Sequence, residues 1–177
     1  FNEAFFSVFG VCPLPDYEFI QNSVRLVHEH DPRHEIMMTD SGELSTWFQP
    51  ARLADVLGVS MYRVTWNSFW GYFYYPLPPS FYRTKADLIR PLVNDVIVSE
   101  LQAEPWTPST MLTTSLEQQY HSMNPKRFQR NIEYVRQTGF SEVLLWGVEW
   151  RYWLKTIHSD AQMWEMGRDL FHNNAAL

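Results

Sequence analysis

The stretch that decides the fold reads VIVSELQAEPW and spans residues 96–106. It opens with Val96, Ile97 and Val98, a short apolar run typical of a parallel strand that is buried on both faces. Glu100 follows where that strand should end, so a rigid element would hold its carboxylate half shielded from water. On this residue alone, a carboxylate that caps backbone amides is an equally good interpretation.

Similar apolar runs recur at residues 35–39, 59–66 and 143–146, and helix-period segments separate them. Strands that alternate with helices across short turns predict an α/β fold with a parallel sheet covered by helices. A loop containing Pro and Gly is expected between Glu3 and the first helix. The inward faces of the predicted helices are Ile20, Val24 and Val27; Trp47, Ala51, Ala54 and Leu57 before a stop at Gly58; Phe81, Leu88 and Leu92; Phe128, Ile132 and Val135 before a stop at Gly139; and Met163, Met166 and Leu170.

Aromatic residues make up 16% of the chain, and many of them fall in one long loop predicted at residues 67–79. Composition favours a large aromatic core. A sugar-binding surface is the second interpretation, because the apolar face of a pyranose ring stacks on indole and phenol rings. The loop is therefore consistent with three roles, which are a carbohydrate platform, a cover for the core and a subunit contact.

Composition and charge argue against several classes of function. The formal net charge is −6 and basic residues do not cluster, which argues against nucleic-acid binding. No apolar run approaches the roughly 18 residues that cross a bilayer, so no membrane insertion is expected. No glycine-rich phosphate fingerprint follows a predicted strand. The single Cys12 excludes an internal disulfide framework, and the sequence predicts no compartment.

Polar side chains gather at or near the predicted carboxyl ends of the strands, where parallel α/β barrels place their chemistry. These residues are Asp40, Tyr62, Glu100 and Glu149. A further carboxylate, Glu3, follows Asn2 at the start of the sequence. Two carboxyl groups about 5–5.5 Å apart across a sugar permit double displacement, with one as the acid/base and the other as the nucleophile.

Four short motifs occur in order with strand-sized spacing, namely Asn2-Glu3, Met61-Tyr62, Ser99-Glu100 and Leu145-Trp146. In this order the chain resembles the clan A glycoside hydrolases, which are β/α barrels. The runs at residues 40–43, 99–106 and 146–150 are similar to those of a cellulase-like branch of the clan. The resemblance covers residues 1–146. It implies that residues 1–177 form a single partial (β/α) barrel domain, about half of a TIM barrel, from the end of strand four through helix eight.

The resemblance also implies the catalytic roles. Glu3 would protonate the leaving oxygen and then activate water, with a pKa raised by burial and by the neighbouring anion. Glu100 would attack the anomeric carbon of a β-linked O-glycoside. Glu104 is the rival nucleophile, but it lies four residues beyond the predicted strand end, so Glu100 is preferred. The reaction needs no cofactor or metal.

The expected substrate-binding residues follow from the same resemblance. Asn2 would bond the sugar 2-hydroxyl and Tyr62 would hold Glu100 in position. Trp146 would form a sugar platform, with Trp106 close to it in the same site. Glu149 is expected either to line the site or merely to begin the final helix.

The chain departs from the clan in two ways. Ala4 replaces the Pro that commonly follows the catalytic pair, and the first three strands have no counterpart. Because a complete barrel takes about 250 residues, half a barrel leaves open sheet edges. Besides a carbohydrate substrate, the expected partner is therefore a second copy or a second half-barrel chain. The alternative function is a non-catalytic or weakly active half-barrel that binds carbohydrate or assembles.

Three histidines, His28, His30 and His34, flank Asp31 and could suggest a metal site. They straddle the end of a predicted helix, and Arg33 lies among them. A solvated surface is the preferred interpretation.

Overall fold

The computed structural model describes residues 1–6 and 15–173. Cys12 and most of the loop predicted after Glu3 lie outside these residues. The described helices and strands are, in chain order, α1 (Tyr17–His30), β1 (Met37–Ser41), α2 (Phe48–Ala51), β2 (Val56–Met61), β3 (Val64–Asn67), β4 (Gly71–Tyr74), α3 (Pro79–Ile89) with a 3-10 turn after it (Arg90–Leu92), β5 (Asp95–Gln102), α4 (Leu116–Ser122), α5 (Pro125–Arg136), β6 (Val143–Trp146), α6 (Val148–Ile157) and α7 (Gln162–Asn173).

Four strands form one parallel sheet in the order β1-β2-β5-β6. Val59 of β2 lies opposite both Asp40 of β1 and Val98 of β5, and after Val59 the register between β2 and β5 shifts by one residue, so that Ser60 lies opposite Glu100. Helices flank the sheet, which confirms the predicted α/β fold. The strands predicted at residues 35–39 and 143–146 correspond to β1 and β6. The strand predicted at residues 96–98, with Glu100 where it ends, corresponds to β5 but continues to Gln102. Glu100 therefore lies within the strand, and Glu104 lies two residues beyond its end rather than four.

The first residues extend this sheet beyond β1. The Phe1 amino group donates to the Met37 carbonyl over 3.0 Å, and the Thr39 amide donates to the Phe1 carbonyl over 2.9 Å. A residue that donates to one neighbour and accepts from the residue two positions further on has the hydrogen-bond pattern of a parallel ladder. Glu3 is thereby placed at the same end of the sheet as the carboxyl end of β1.

Helix α5 follows its predicted stripe, and helix α1 follows its own only in part. Phe128, Ile132 and Val135 of α5 are buried. The helix begins at Pro125, and the Asn124 side chain caps it by accepting a hydrogen bond from the Arg127 amide over 3.0 Å. In α1, Ile20 and Val24 are buried, whereas the predicted inward position of Val27 is wrong, since this residue is exposed in the last turn. The predicted tail helix is divided into α6 and α7, and Met163 of α7 is fully buried.

The second predicted helix is wrong beyond its first turn. Helix α2 ends at Ala51, and Leu57 and Gly58 belong to β2. Trp47, Ala51 and Leu57 nevertheless pack in one core. Their spacing in the sequence resembles that of one helix face, although they belong to different elements. Gly58 does not stop a helix but allows close packing in the sheet, since a Cβ there would lie 2.8 Å from the Ser99 side chain.

The predicted strand at residues 59–66 is also wrong, because it is two strands. β2 ends at Met61, and β3 starts at Val64 in a separate two-stranded antiparallel hairpin with β4. The hairpin occupies the first half of the predicted aromatic loop. Phe69 and Trp70 at its tip are 80% and 75% exposed, and their rings contact each other edge to face.

A buried glutamine joins this hairpin to the sheet. Gln102, at the end of β5, accepts from the Val64 amide over 3.0 Å and donates to the Val64 carbonyl over 2.8 Å. Its side-chain amide thus supplies the two hydrogen bonds that a neighbouring strand would otherwise make. Asn131 of α5 donates to the backbone carbonyl of Gln102, which ties a flanking helix to the same point.

The predicted inward face of α3 is wrong in part. Leu88 and, in the turn that follows, Leu92 are exposed, whereas Tyr82, Ala86 and Ile89 are buried. The phenol of Tyr82 is tolerated in the core because its hydroxyl has a carboxylate partner, Glu43. Within the described ranges, each helix is too short or too polar to cross a membrane.

Candidate active site

One pocket lies beyond the carboxyl ends of β1, β2 and β5 and has a volume of about 110 Å³. Three carboxyl groups face it, from Glu3, Glu43 and Glu100. Its full lining is Glu3, Ser41, Glu43, Leu44, Ser60, Tyr62, Thr65, Tyr75, Glu100 and Trp106. The structure therefore brings together four of the residues predicted from sequence, which are Glu3, Glu100, Tyr62 and Trp106.

Glu3 is held by the neighbouring strands. Its backbone amide donates to Thr39 Oγ1 over 2.9 Å, and Ser60 Oγ donates to Glu3 Oε1 over 3.0 Å. Its φ of 45° lies in the left-handed region, which is uncommon outside glycine and costs conformational energy. Burial raises the pKa of Glu3 above its usual value, the Ser60 hydrogen bond opposes that rise, and the charge of Glu100 adds to it.

Glu100 lies in β5 and is oriented by Tyr62, whose hydroxyl donates to Glu100 Oε2 over 2.9 Å. Burial and then the charge of Glu100 raise the pKa of Tyr62, so this phenol stays protonated and remains a donor. Trp106 packs edge to face against the Tyr62 ring, with 5.3 Å between ring centroids. The neighbouring strand and the contact with Trp106 thus hold Tyr62 in place, and Tyr62 in turn orients Glu100.

Glu43 sits in the turn after β1 and is mostly buried. Tyr82 donates to its Oε1 over 2.5 Å, and the Tyr62 backbone amide also bonds to this carboxyl group. Burial raises the pKa of Glu43 to about 7, while the hydrogen bonds and the nearby Arg63 oppose that rise. The charge of Glu43 thus changes near neutral pH.

Lys85 of α3 fixes the turn that carries Glu43. Its ammonium donates to the carbonyls of Gly42 and Ser45 over 2.8 and 2.7 Å, and it lies 3.9 Å from the centroid of the Trp47 ring. Burial lowers the pKa of Lys85 to about 8, although nearby carboxylates oppose the change. The turn is therefore held by a partly buried cation rather than by a regular element.

Asn2 does not line the pocket. It is exposed, and its side-chain oxygen accepts a hydrogen bond from Thr39 Oγ1 over 2.5 Å. Since Thr39 also accepts from the Glu3 amide, Asn2 and Glu3 are linked through one threonine. Its predicted bond to a sugar hydroxyl stays a prediction.

Trp146 and Glu149 lie beside the pocket rather than in its lining. The Trp146 indole is 45% exposed and donates to Glu104 Oε1 over 2.9 Å. Glu149 is exposed in the first turn of α6, where its charge contributes to a raised pKa of Glu104, after the larger effect of burial. Glu104 and Glu149 form a second acidic group at the β6 side of the pocket. The charge of Glu104 also contributes to the raised pKa of Tyr62.

Gly147 allows β6 and the loop after β5 to approach closely. Its φ is 101°, and a Cβ there would lie 2.4 Å from Glu104 Cβ. Only glycine combines this backbone conformation with so close a neighbour. The position of Glu104 therefore depends on the absence of a side chain at residue 147.

Several lining residues were not predicted from sequence, notably Ser60, Glu43, Thr65 and Tyr75. Ser60 had a usable signal, because it precedes Tyr62 by two positions and residues two apart share a face of a strand. Thr65 and Tyr75 lie at the base of the hairpin, which the sequence analysis divided between a strand at residues 59–66 and a loop at residues 67–79.

The histidines lie on the surface. His34 Nδ1 is 2.7 Å from Asp31 Oδ2, and His28 Nε2 is 3.4 Å from Asp55 Oδ2. Among the described residues, no three His, Cys, Asp or Glu side chains are grouped so as to hold a metal ion.

No protein-family model, curated protein or solved structure matches the chain.

Proposed function

We propose that the chain is a retaining β-glycosidase that hydrolyses β-linked O-glycosides by double displacement. The observation that carries this proposal is that Glu3 and Glu100 face one pocket at the carboxyl end of a parallel sheet, with Glu100 held by Tyr62. The raised pKa of Glu3 suits a group that must carry a proton, and part of the rise comes from the charge of Glu100. Two carboxyl groups in unequal surroundings suit unequal roles.

In the first step, Glu100 attacks the anomeric carbon and forms a covalent glycosyl ester. The bond from that carbon to the leaving oxygen breaks as Glu3 gives its proton to the oxygen. In the second step, water attacks the same carbon and transfers a proton to Glu3, and the ester bond to Glu100 breaks. Each step inverts the carbon, so the product keeps the β configuration.

We also propose that the four-stranded sheet is part of a (β/α)8 barrel. Phe1, β1, β2, β5 and β6 lie side by side in chain order, as strands four to eight of a (β/α)8 barrel would. In β6, the strand at one edge of the sheet, Leu144 and Trp146 are 44% and 45% exposed. We propose that a second half, from another copy or another polypeptide, covers this edge.

The decisive experiment measures chemical rescue with azide and a 2,4-dinitrophenyl β-glycoside. Glu100→Ala should abolish turnover, and azide should restore it with an inverted α-glycosyl azide as the product, because azide attacks from the face that Glu100 occupied. Glu3→Ala should instead give the retained β-glycosyl azide, because azide then replaces water in the second step. Glu133→Ala, on the exposed face of α5, is the matched control.

The same assay separates Glu100 from its rival. Rescue of Glu104→Ala with an α-glycosyl azide, together with an active Glu100→Ala variant, would transfer the nucleophile role to Glu104. Wild-type turnover in both Glu3→Ala and Glu100→Ala would reject the proposal.

The exposed tip of the hairpin favours a second candidate, a carbohydrate-binding half-barrel without hydrolysis. Phe69 and Trp70 offer two exposed rings on an element whose base, at Thr65 and Tyr75, lines the pocket. Trp70→Ala should then abolish saccharide binding measured by calorimetry while leaving thermal unfolding unchanged. Intact binding in Trp70→Ala would remove this candidate.

A further inference from the structure

Glu43 is a carboxyl group of the pocket that double displacement does not use. It faces the same space as Glu3 and Glu100 and comes from a different segment, the turn after β1. Tyr82 and the Tyr62 amide hold it by hydrogen bonds. A carboxyl group fixed in this way is pre-organised to make a directional contact with a ligand.

The cations near Glu43 are engaged away from the pocket. Arg63 donates to the carbonyls of Tyr75 and Leu77, and Lys85 donates to two carbonyls of the turn that carries Glu43. The described residues that line the pocket include three carboxyl groups and no Lys or Arg. When Glu43 is ionised, a bound ligand would therefore meet an excess of negative charge even while Glu3 carries the proton of the general acid.

We propose that Glu43 binds a hydroxyl group of the sugar in the pocket and makes the site selective for neutral over acidic sugars. The inference rests on the proposed function only in taking a glycoside as the ligand, and no bond is made or broken at Glu43.

Two physical effects support this selectivity. A sugar hydroxyl that donates to a carboxylate forms a charge-assisted hydrogen bond, which is about twice as strong as a neutral one. The carboxylate of a uronic acid would instead be repelled by the ionised groups of the pocket, since a like charge in a partly dry site is strongly disfavoured. The charge of Glu43 supplies the first effect and contributes to the second.

The test measures binding rather than turnover. Phenyl 1-thio-β-glucoside and the matching 1-thio-β-glucuronide resist hydrolysis, and their Kd values are measured by calorimetry at pH 8, above the pKa of about 7 for Glu43. The wild-type chain should bind the glucoside at least about tenfold more tightly than the glucuronide. Glu43→Gln should weaken glucoside binding about tenfold and narrow the preference by a similar factor, because it removes the charge and keeps the shape.

Glu133→Gln on α5 is the matched control and should change neither Kd. A second variant, Tyr82→Phe, removes a hydrogen bond that lowers the pKa of Glu43, so less of this carboxyl group should be ionised at pH 8. It should weaken glucoside binding and reduce the preference for the neutral sugar, less than Glu43→Gln does. Circular dichroism establishes that each variant is folded.

An unchanged preference in folded Glu43→Gln overturns the inference, as does a wild-type chain that binds the two thioglycosides equally. Tyr82→Phe decides the matter if Glu43→Gln does not fold, because an unchanged glucoside Kd then counts against Glu43. Binding with this selectivity but without hydrolysis of an aryl glucoside would reject the proposed function and leave the inference standing.

Discussion

The hydroxyl of Tyr62, just past the end of β2, lies 2.9 Å from Glu100 Oε2 in the neighbouring strand β5 and donates a hydrogen bond to it. The Tyr62 backbone amide also bonds to Glu43. One residue therefore orients the proposed nucleophile through its side chain and a third carboxyl group through its main chain. A substitution at Tyr62 should therefore affect the positions of both Glu100 and Glu43.

Tyr62→Phe should lower kcat/KM for an aryl β-glycoside by about 10- to 100-fold, the worth of one hydrogen bond to a charged group. The ring and its contact with Trp106 would remain, so the variant should fold normally. Steady-state kinetics measure the effect, with Tyr152→Phe on the exposed face of α6 as the control. An unaltered kcat/KM would mean that the Tyr62 hydroxyl does not act on the nucleophile.

Ser60→Ala should move the alkaline limb of the pH–activity profile to higher pH. The Ser60 hydrogen bond lowers the pKa of Glu3, so its loss lets burial raise that pKa further. A general acid works only while it is protonated, and activity is lost as the pH rises through its pKa. The profile of kcat/KM against pH measures the shift, and Ser23→Ala on exposed α1 is the control. A limb that moves to lower pH would contradict the assignment of Glu3 as the acid.

Glu43→Gln should flatten the dependence of stability on pH between about 4.5 and 7. In the folded chain, burial raises the pKa of Glu43 from 4.5 to about 7, so the folded state binds more protons than the unfolded state in this window. The contribution of Glu43 to stability is therefore fully present below pH 4.5 and is lost as the pH rises to 7, by about 3 kcal/mol. Urea unfolding at several pH values measures it. Parallel curves for the variant and the wild type would show that Glu43 is not a protonated, buried group.

Gly147→Ala should destabilise the fold more than Gly71→Ala. Both glycines have positive φ, 101° and 72°, so alanine is strained at each. A Cβ at Gly71 meets no atom within 4 Å, whereas one at Gly147 would overlap Glu104. The loss should be about 1–2 kcal/mol at Gly71 and at least about 1 kcal/mol more at Gly147. Free energies of unfolding from denaturant titrations compare the pair, and equal losses would mean that β6 and the Glu104 loop do not pack closely.

The parallel sheet could be predicted because its strands carry continuous apolar runs, and Val96–Val98 is short enough to exclude a helix. Glu100 and Tyr62 could be placed because each follows such a run closely, although β5 continues past Glu100 to Gln102. Helix α5 could be predicted as well, since Asn124-Pro125 is a helix start signal. Phe128, Ile132 and Val135 recur at the spacing of one helix face. The apolar runs, the helix start signal and the helix stripe are each formed by residues close together in the sequence, which is why they could be predicted.

The rest depends on contacts between distant residues. The partner of Glu3, Ser60, is 57 positions away, and no local pattern joins them. The break between β2 and β3 depends on a hydrogen-bond partner supplied by Gln102, 38 positions beyond Val64. Burial of Tyr82 in place of Leu88 depends on Glu43, which is also remote in sequence. Apolar periodicity carries none of this information.

Gln102 also bears on how close relatives of this chain should be compared. An exchange of glutamine for glutamate scores as conservative in an alignment. At residue 102 a carboxylate would place an acceptor against the Val64 carbonyl, where the amide nitrogen now donates over 2.8 Å. The exchange would weaken the joint between hairpin and sheet in a fully buried place. Among homologues, an amide retained at this column would mark chains that keep the hairpin against the pocket.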